Sequence, residues 1–260
     1  MRSLAPVKDV AKYRYVLVQL VRQHLRLKYR RTVFGYLWAL LNPILTLFVL
    51  ALVFSSLLKW EFKDFVFLLF AGLVPWVIFS NTVIQSCTTF ISNEELIKKI
   101  LVPKILFPLS VAIALLIDGL IYFITVYPFV LIFGGKAGLA IALLPFAFIL
   151  LFVFAFGLAM ILSLMTTFFR DLQWLIPVAM QAWFFLTPIL YDRKNIMGPL
   201  EWIVQINPLT PFIELFKAPL YMGVLPDPTN WVLCSILAIA MLFIGLNILA
   251  RFQHRIVYRL

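Results

Sequence analysis

Six long apolar stretches constrain this chain more than any other feature of it. They cover residues 36–58, 65–86, 105–133, 139–167, 172–190 and 230–250. About 20 apolar residues in a helix cross a hydrocarbon core of about 30 Å. In that core no water satisfies backbone groups, and a helix closes its hydrogen bonds within itself. The chain is therefore expected to be an all-α membrane protein with six transmembrane helices. A hydrophobic content of 64% and a mean hydropathy of +1.04 exclude an ordinary soluble domain.

The charges sort by side once those stretches are marked. Alternating sides puts residues 1–35, 87–104, 168–171 and 251–260 together, with sixteen basic and four acidic residues. The other side holds six of each, and Asp118 alone falls deep within a span. Basic loops stay on the inner side of a membrane, so both termini are expected in the cytoplasm. The domain organisation follows: a single membrane domain over 1–260. Its parts are a cytoplasmic and interfacial segment at 1–35, a six-span bundle at 36–250 and a cytoplasmic tail at 251–260. The first 35 residues read as mature protein rather than a cleavable signal, being too long and too polar.

The net charge of +11 is then a membrane signature and not a nucleic-acid one, since no polar segment is long enough to fold around it. Cys87 and Cys234 are expected a membrane thickness apart, beyond the reach of a disulfide. Two isolated histidines, His24 and His254, make no metal constellation. Neither a nucleophilic triad nor a phosphate-cradling Gly-rich loop is visible. No catalytic residue, metal ligand or cofactor site is expected in this chain.

Residues 10–30 read as an amphipathic helix. Lys12, Gln19, Arg22, Gln23, Arg26 and Arg30 fall on one face, and Tyr13, Val16, Leu17, Leu20, His24 and Leu27 on the other. Such a helix lies in the inner membrane interface, either as an anchor alone or also framing a docking surface. His24 reads as filler on the apolar edge. Arg26, Lys28, Arg30 and Arg31 form a basic cluster that either anchors to lipid headgroups or grips a phosphate through the guanidinium fork.

Residues 92–104 read as a short helix of two to three turns on the same side. Ser92 and Glu95 have capping-box spacing. Glu94 and Glu95 pair in the favourable direction with Lys98 and Lys99, and Pro103 closes the segment. Its apolar residues Leu96, Ile97, Ile100 and Leu101 are expected to form an exposed face that needs a partner: the bilayer, the bundle or another protein.

On the outer side, residues 191–229 are too apolar for an ordinary loop. Breaks at Asn207–Pro208 and Pro219 leave helices at 200–206 and 212–221, each too short to span. They read as a re-entrant or interfacial pair. Phe212, Leu215 and Phe216 supply a bulky apolar plug at helical spacing, an expected outer gate. Trp183, Phe184, Phe185 and Tyr191 lie along or just beyond the fifth span, where they either pack against neighbours or line a pore on which sugar rings slide. Asp118 is a functional candidate by depth alone, and one carboxylate without visible repeats is thin support for an ion-coupled transporter.

Taken in order, several segments resemble the ABC-2 class of transporter permeases, and within it the subunits that export polysaccharides such as O-antigen. They are Arg31-Thr-Val-Phe-Gly-Tyr-Leu-Trp-Ala-Leu-Leu-Asn-Pro43, Ser92-Asn-Glu-Glu-Leu-Ile-Lys-Lys99, Phe169-Arg-Asp171, Thr187-Pro-Ile-Leu-Tyr191 and Asn207-Pro-Leu-Thr-Pro211. The resemblance runs over essentially the whole chain. It implies a homodimer in a bacterial inner membrane, working with two separate ABC ATPase subunits that hold the ATP and Mg. It makes 94–99 a coupling helix through Glu94, Glu95, Leu96, Ile97, Lys98 and Lys99. It implies a cargo of glycan on a polyprenyl-pyrophosphate carrier; on the phosphate reading of the basic cluster, one or two of Arg26, Arg30 and Arg31 would meet that pyrophosphate. Teichoic acid, capsule, simple lipid or drug export are the rival cargoes within the same class.

Overall fold

The computed structural model describes residues 10–29, 37–132, 138–191 and 198–260. Among them there is no strand. The helices run α1 (Arg14–Tyr29), α2 (Leu37–Leu58), α3 (Phe62–Cys87), α4 (Thr89–Ser92), α5 (Glu94–Lys99), α6 (Leu106–Ile132), α7 (Leu144–Phe168), α8 (Leu172–Phe185), α9 (Pro199–Ile206), α10 (Leu209–Lys217) and α11 (Pro228–Arg259). A 3-10 turn, Leu139–Leu143, leads into α7, and a π turn, Ala218–Met222, follows α10.

Five of these, α2, α3, α6, α7 with its 3-10 turn, and α11, are long and apolar enough to cross a membrane. The fifth expected span is cut short. Helix α8 has 14 residues, a rise of about 21 Å, against the about 30 Å of a hydrocarbon core. It stops because the backbone before Pro188 is pushed out of the helical region. The chain then turns through Thr187, Pro188, Ile189 and Leu190, all buried in the bundle. Non-helical backbone at such depth is tolerable because protein, not lipid, surrounds it.

Helix α3 is the central post. In its most apolar window 78% of residues are buried, against 17% for α2 and 28% for α11. It packs against α6 and α7, with α2, α8 and α10 around it, while α7 pairs along its length with α11. That last pairing depends on two glycines. A Cβ added at Gly157 would sit 2.6 Å from the Met241 carbonyl carbon, and one at Gly245 only 2.5 Å from the Gly157 carbonyl oxygen. Backbones that close leave no room for any side chain at the crossing, a membrane packing device that trades side-chain bulk for contact.

The apolar core falls into two clusters. The larger joins α3, α6, α7 and α10, with Phe65, Phe70, Phe79, Phe154, Phe212 and Phe216 all fully buried in it. The smaller lies at the end where the basic segments gather. It joins Leu20 of α1, Phe90 of α4, Ile97 of α5, Phe107 of α6, Leu164 of α7 and Ile256 of α11. Both amphipathic helix α1 and short helix α5 are thus built into the protein at that end and are not loose appendages.

Candidate conduit face and docking end

At the basic end, α5 forms where the sequence expects it, but shorter and differently seated. It has six residues, with Asn93 at the cap position and no side chain closing the cap. The Ser92–Glu95 capping box does not form. Ser92 instead ends the preceding turn α4, and the Asn93 side-chain amide donates back to the Thr89 carbonyl at 2.8 Å. Both expected ion pairs are present, Lys98 with Glu94 and Lys99 with Glu95. They lie in solvent and contribute about 0.3–0.5 kcal/mol each.

The expected exposed apolar face is corrected more sharply. Ile97 is 2% exposed and packs into the smaller core, while Leu96 is half-buried against it. A six-residue helix can present only one face to the bundle, and α4 and α6 on either side turn that face toward Ile97. The apolar residues left outside are Ile100 and, at 95% exposure, Leu101. Lys104 reaches back to the Ile97 carbonyl at 3.4 Å, and burial lowers its ammonium below the usual lysine range.

Helix α1 is fixed to the bundle by a bond the sequence did not suggest. His24 Nε2 lies 3.0 Å from Gln85 Oε1 of α3, so His24 is a tether and not filler. The opposite face of α1 opens a cavity of about 430 Å³ lined by Gln19, Arg22, Gln23, Arg26 and Leu27. Gln23 also borders a second cavity, lined by Ile91, Ser92, Asn93, Glu94, Glu95 and Leu96. The basic wall of α1 and the acidic start of α5 therefore share one concave surface. Arg26 stands exposed on it; Arg30 and Arg31 lie outside the described residues.

Helix α8 carries the expected conduit aromatics. Trp183 meets Phe79 edge-on at 5.4 Å between ring centroids, and Phe184 meets Trp76 at 5.5 Å. Phe185 is 55% exposed, and the Tyr191 hydroxyl donates to its carbonyl at 3.0 Å. Between α3 and α8 lies a groove of about 340 Å³ lined by Trp76, Ser80, Ile84, Pro177, Met180, Gln181, Phe184 and Phe185. On the outward face of α8, Trp174, Leu175, Val178 and Phe185 stand exposed beside Gln181. An amide exposed midway along an apolar helix is costly against lipid, so this face suits water or a second protein surface.

At the other end, α9 and α10 meet at a buried elbow. Asn207 uses all four of its side-chain hydrogen-bonding positions there. Trp183 Nε1 donates to its Oδ1 at 2.9 Å and the Leu209 backbone N–H at 3.0 Å. Its Nδ2 donates to the Leu186 carbonyl at 3.1 Å and to Thr187 Oγ1 at 2.9 Å. Thr210 adds a bond to the Val204 carbonyl at 2.7 Å. The expected plug residues Phe212, Leu215 and Phe216 are at most 1% exposed. Phe212 packs on Phe154 and Phe216 on Phe148, each with centroids 4.9 Å apart, so they fasten α10 into the core. Lys217 is buried rather than solvated, donating to the Tyr191 carbonyl at 2.9 Å. Among the exposed apolar residues at this end, α9 contributes Trp202, Ile203 and Ile206.

A multi-pass helical membrane protein with a short charged helix seated at one end and a broken helix bordering an aromatic groove is a recognisable class of transport domain. Comparison with known proteins gives it a family: residues 15–221 match the ABC-2 type transporter model, and the chain belongs to that family. It is 30% identical over 247 residues to an O-antigen export system permease protein RfbA of Klebsiella pneumoniae, covering 92% of this chain and 93% of that one. A protein of the same name from Myxococcus xanthus is 28% identical over 248 residues, covering 93% and 94%. The polysialic acid transport protein KpsM of Escherichia coli is 25% identical over 232 residues, covering 86% and 88%.

Proposed function

We propose that this chain is the permease subunit of an ABC exporter that moves a lipid-linked polysaccharide, such as O-antigen, across the bacterial inner membrane. The observation that carries the reading is the family match over most of the chain joined to the face of α8, where exposed aromatic rings and Gln181 border one groove. Aromatic faces bind sugar rings by stacking with little directional demand, which suits a repeating polymer that must slide. The chain acts as a single domain over 1–260, with the basic end and both termini in the cytoplasm. Helix α8 and the buried turn after it together make the sixth crossing. Two copies place their α8 faces around one conduit lined by Trp183, Phe184, Phe185 and Tyr191.

ATP and Mg belong to two partner ATPase subunits, this chain binding neither. They dock on the concave surface shared by α1 and α5, with Glu94, Glu95, Lys98 and Lys99 at its rim and Ile97 passing the push inward. Arg26, Arg30 and Arg31 meet the carrier's pyrophosphate near the inner opening. At the outer end α9 and α10 close the conduit, and Phe212, Leu215 and Phe216 hold them in place. A capsular glycan is the second reading, favoured by the likeness to KpsM.

The test is complementation. In cells lacking their own permease, this chain with its cognate ATPase should restore surface polysaccharide, and the ATPase should co-purify with it. Restored ATPase binding with lipid-linked glycan still trapped inside would overturn the cargo assignment.

A further inference from the structure

We infer that Asn207 is a positioning residue that makes the end of α8, α9 and α10 one rigid block, so that the outer closure moves with α8 and does not bend at its own elbow. The inference rests on the export reading above. The sequence invites the opposite view, because Asn207–Pro208 interrupts the helical pattern and looks like a pivot.

The geometry points away from a pivot. A hinge needs a few residues free to change φ and ψ. At this elbow the backbone is held from three sides at once. The Asn207 side chain joins the indole of Trp183 and the last carbonyl and hydroxyl of the α8 turn to the first amide of α10. The Thr210 hydroxyl ties α10 to the last turn of α9. Thr187 in turn donates to the Trp183 carbonyl at 2.8 Å, so the network closes on itself. Opening it would strip several buried polar groups of partners, and a buried donor or acceptor left unpaired is costly. A fully satisfied buried network of this kind rigidifies what it joins.

The place that can turn lies beyond the block in the chain. Gly223, after the π turn and before α11, has φ +72°, in the left-handed region that favours glycine. The outer end therefore opens by carrying α8, α9 and α10 together, and α8 is the helix whose groove the cargo follows.

The experiment uses the full exporter, permease with its ATPase, in lipid nanodiscs. Spin labels are placed at Ala182→Cys on α8 and Glu201→Cys on α9, both exposed positions; the native Cys87 and Cys234 are buried. The distance between labels should agree within about 2 Å, the scale of small helix adjustments, between nucleotide-free and ATP-trapped states. Asn207→Ala should broaden that distance and cut export about tenfold while ATP hydrolysis stays within about twofold, an uncoupling that simple loss of folding does not produce. Thr187→Val, which keeps the shape and removes one hydroxyl, should do the same to a smaller degree. A distance in the parent that changes by clearly more between states overturns the inference, as does Thr187→Val or Asn207→Ala behaving as the parent does. Should Asn207→Ala fail to assemble, the parent distance and Thr187→Val still decide. Failure of the unsubstituted exporter to move any polysaccharide would strike the export reading itself, whatever the label distance.

Discussion

Gly157 shows how much can hang on a missing methyl. A Cβ there would stand 2.6 Å from the Met241 carbonyl carbon and 2.7 Å from the Leu242 nitrogen, and these atoms are backbone, which cannot rotate away. Gly157→Ala should therefore push α7 and α11 apart and destabilise the protein by about 1–3 kcal/mol, the range for overpacking a tight core. The measurement is the thermal midpoint of the purified protein in detergent; an unchanged midpoint would mean the two helices slide apart at no cost. Asp227 makes a second residue-scale case. It caps α11 by accepting from the Thr229 backbone N–H at 2.8 Å, and that bond holds its carboxyl below the usual carboxylate range. A depressed acid contributes stability above its unfolded pKa, about 3.9 for Asp, and loses it as pH falls through the folded value. Protection of the first-turn amides of α11 from hydrogen exchange, corrected for intrinsic rates, should be flat at neutral pH and fall below about pH 4. Asp227→Asn keeps a good cap without the charge and should remove that pH dependence.

At the scale of elements, the sequence was most legible where length and composition decide. Four of the five long spans lie within a few residues of the apolar stretches, the last runs nine residues past its stretch to Arg259, and the ion pairs of α5 form at the expected spacing. What was not legible depended on neighbours. The stretch 186–190 is as apolar as the helix before it, and only its burial in the bundle lets the chain leave helical geometry there. The bonds of His24 to Gln85 and of Trp183 to Asn207 join residues 61 and 24 positions apart, so no local pattern announces them. Ile97 and Leu101 both look like docking residues in the sequence; the structure separates them. Leu101→Asp should abolish co-purification of the proposed ATPase while changing stability by no more than about 0.5 kcal/mol, as exposed changes usually do. Ile97→Asp buries a charge in the smaller core and should lower the yield of folded protein before any partner is involved. If Leu101→Asp keeps the ATPase bound, the partner docks elsewhere.

For the whole molecule, the two cores set the basic end apart from the rest of the bundle. The smaller core joins α1, α5, α6, α7 and α11 at the basic end, so in the exporter proposed above a partner's push on α5 enters a core shared by three spanning helices. The larger core holds α10 against α3 and α7 and leaves α9 outside. In the two-copy conduit proposed above, the exposed apolar residues of α9, Trp202 and Ile206 at 70% and 76% exposure, are the candidates for the outer seal. A conduit wide enough for a glycan must be closed at rest or the membrane potential is lost. Two double substitutions separate closing from holding. Trp202→Ser with Ile206→Ser should raise ion conductance of liposomes containing the protein in the absence of ATP, with little change in thermal midpoint. Phe212→Ser with Phe216→Ser should instead cost stability, about 3–5 kcal/mol for each buried aromatic truncated, because both rings are packed on α7. A tight bilayer with the first pair would make Trp202 and Ile206 interfacial anchors. A leak from the second pair at an unchanged midpoint would return the plug to α10.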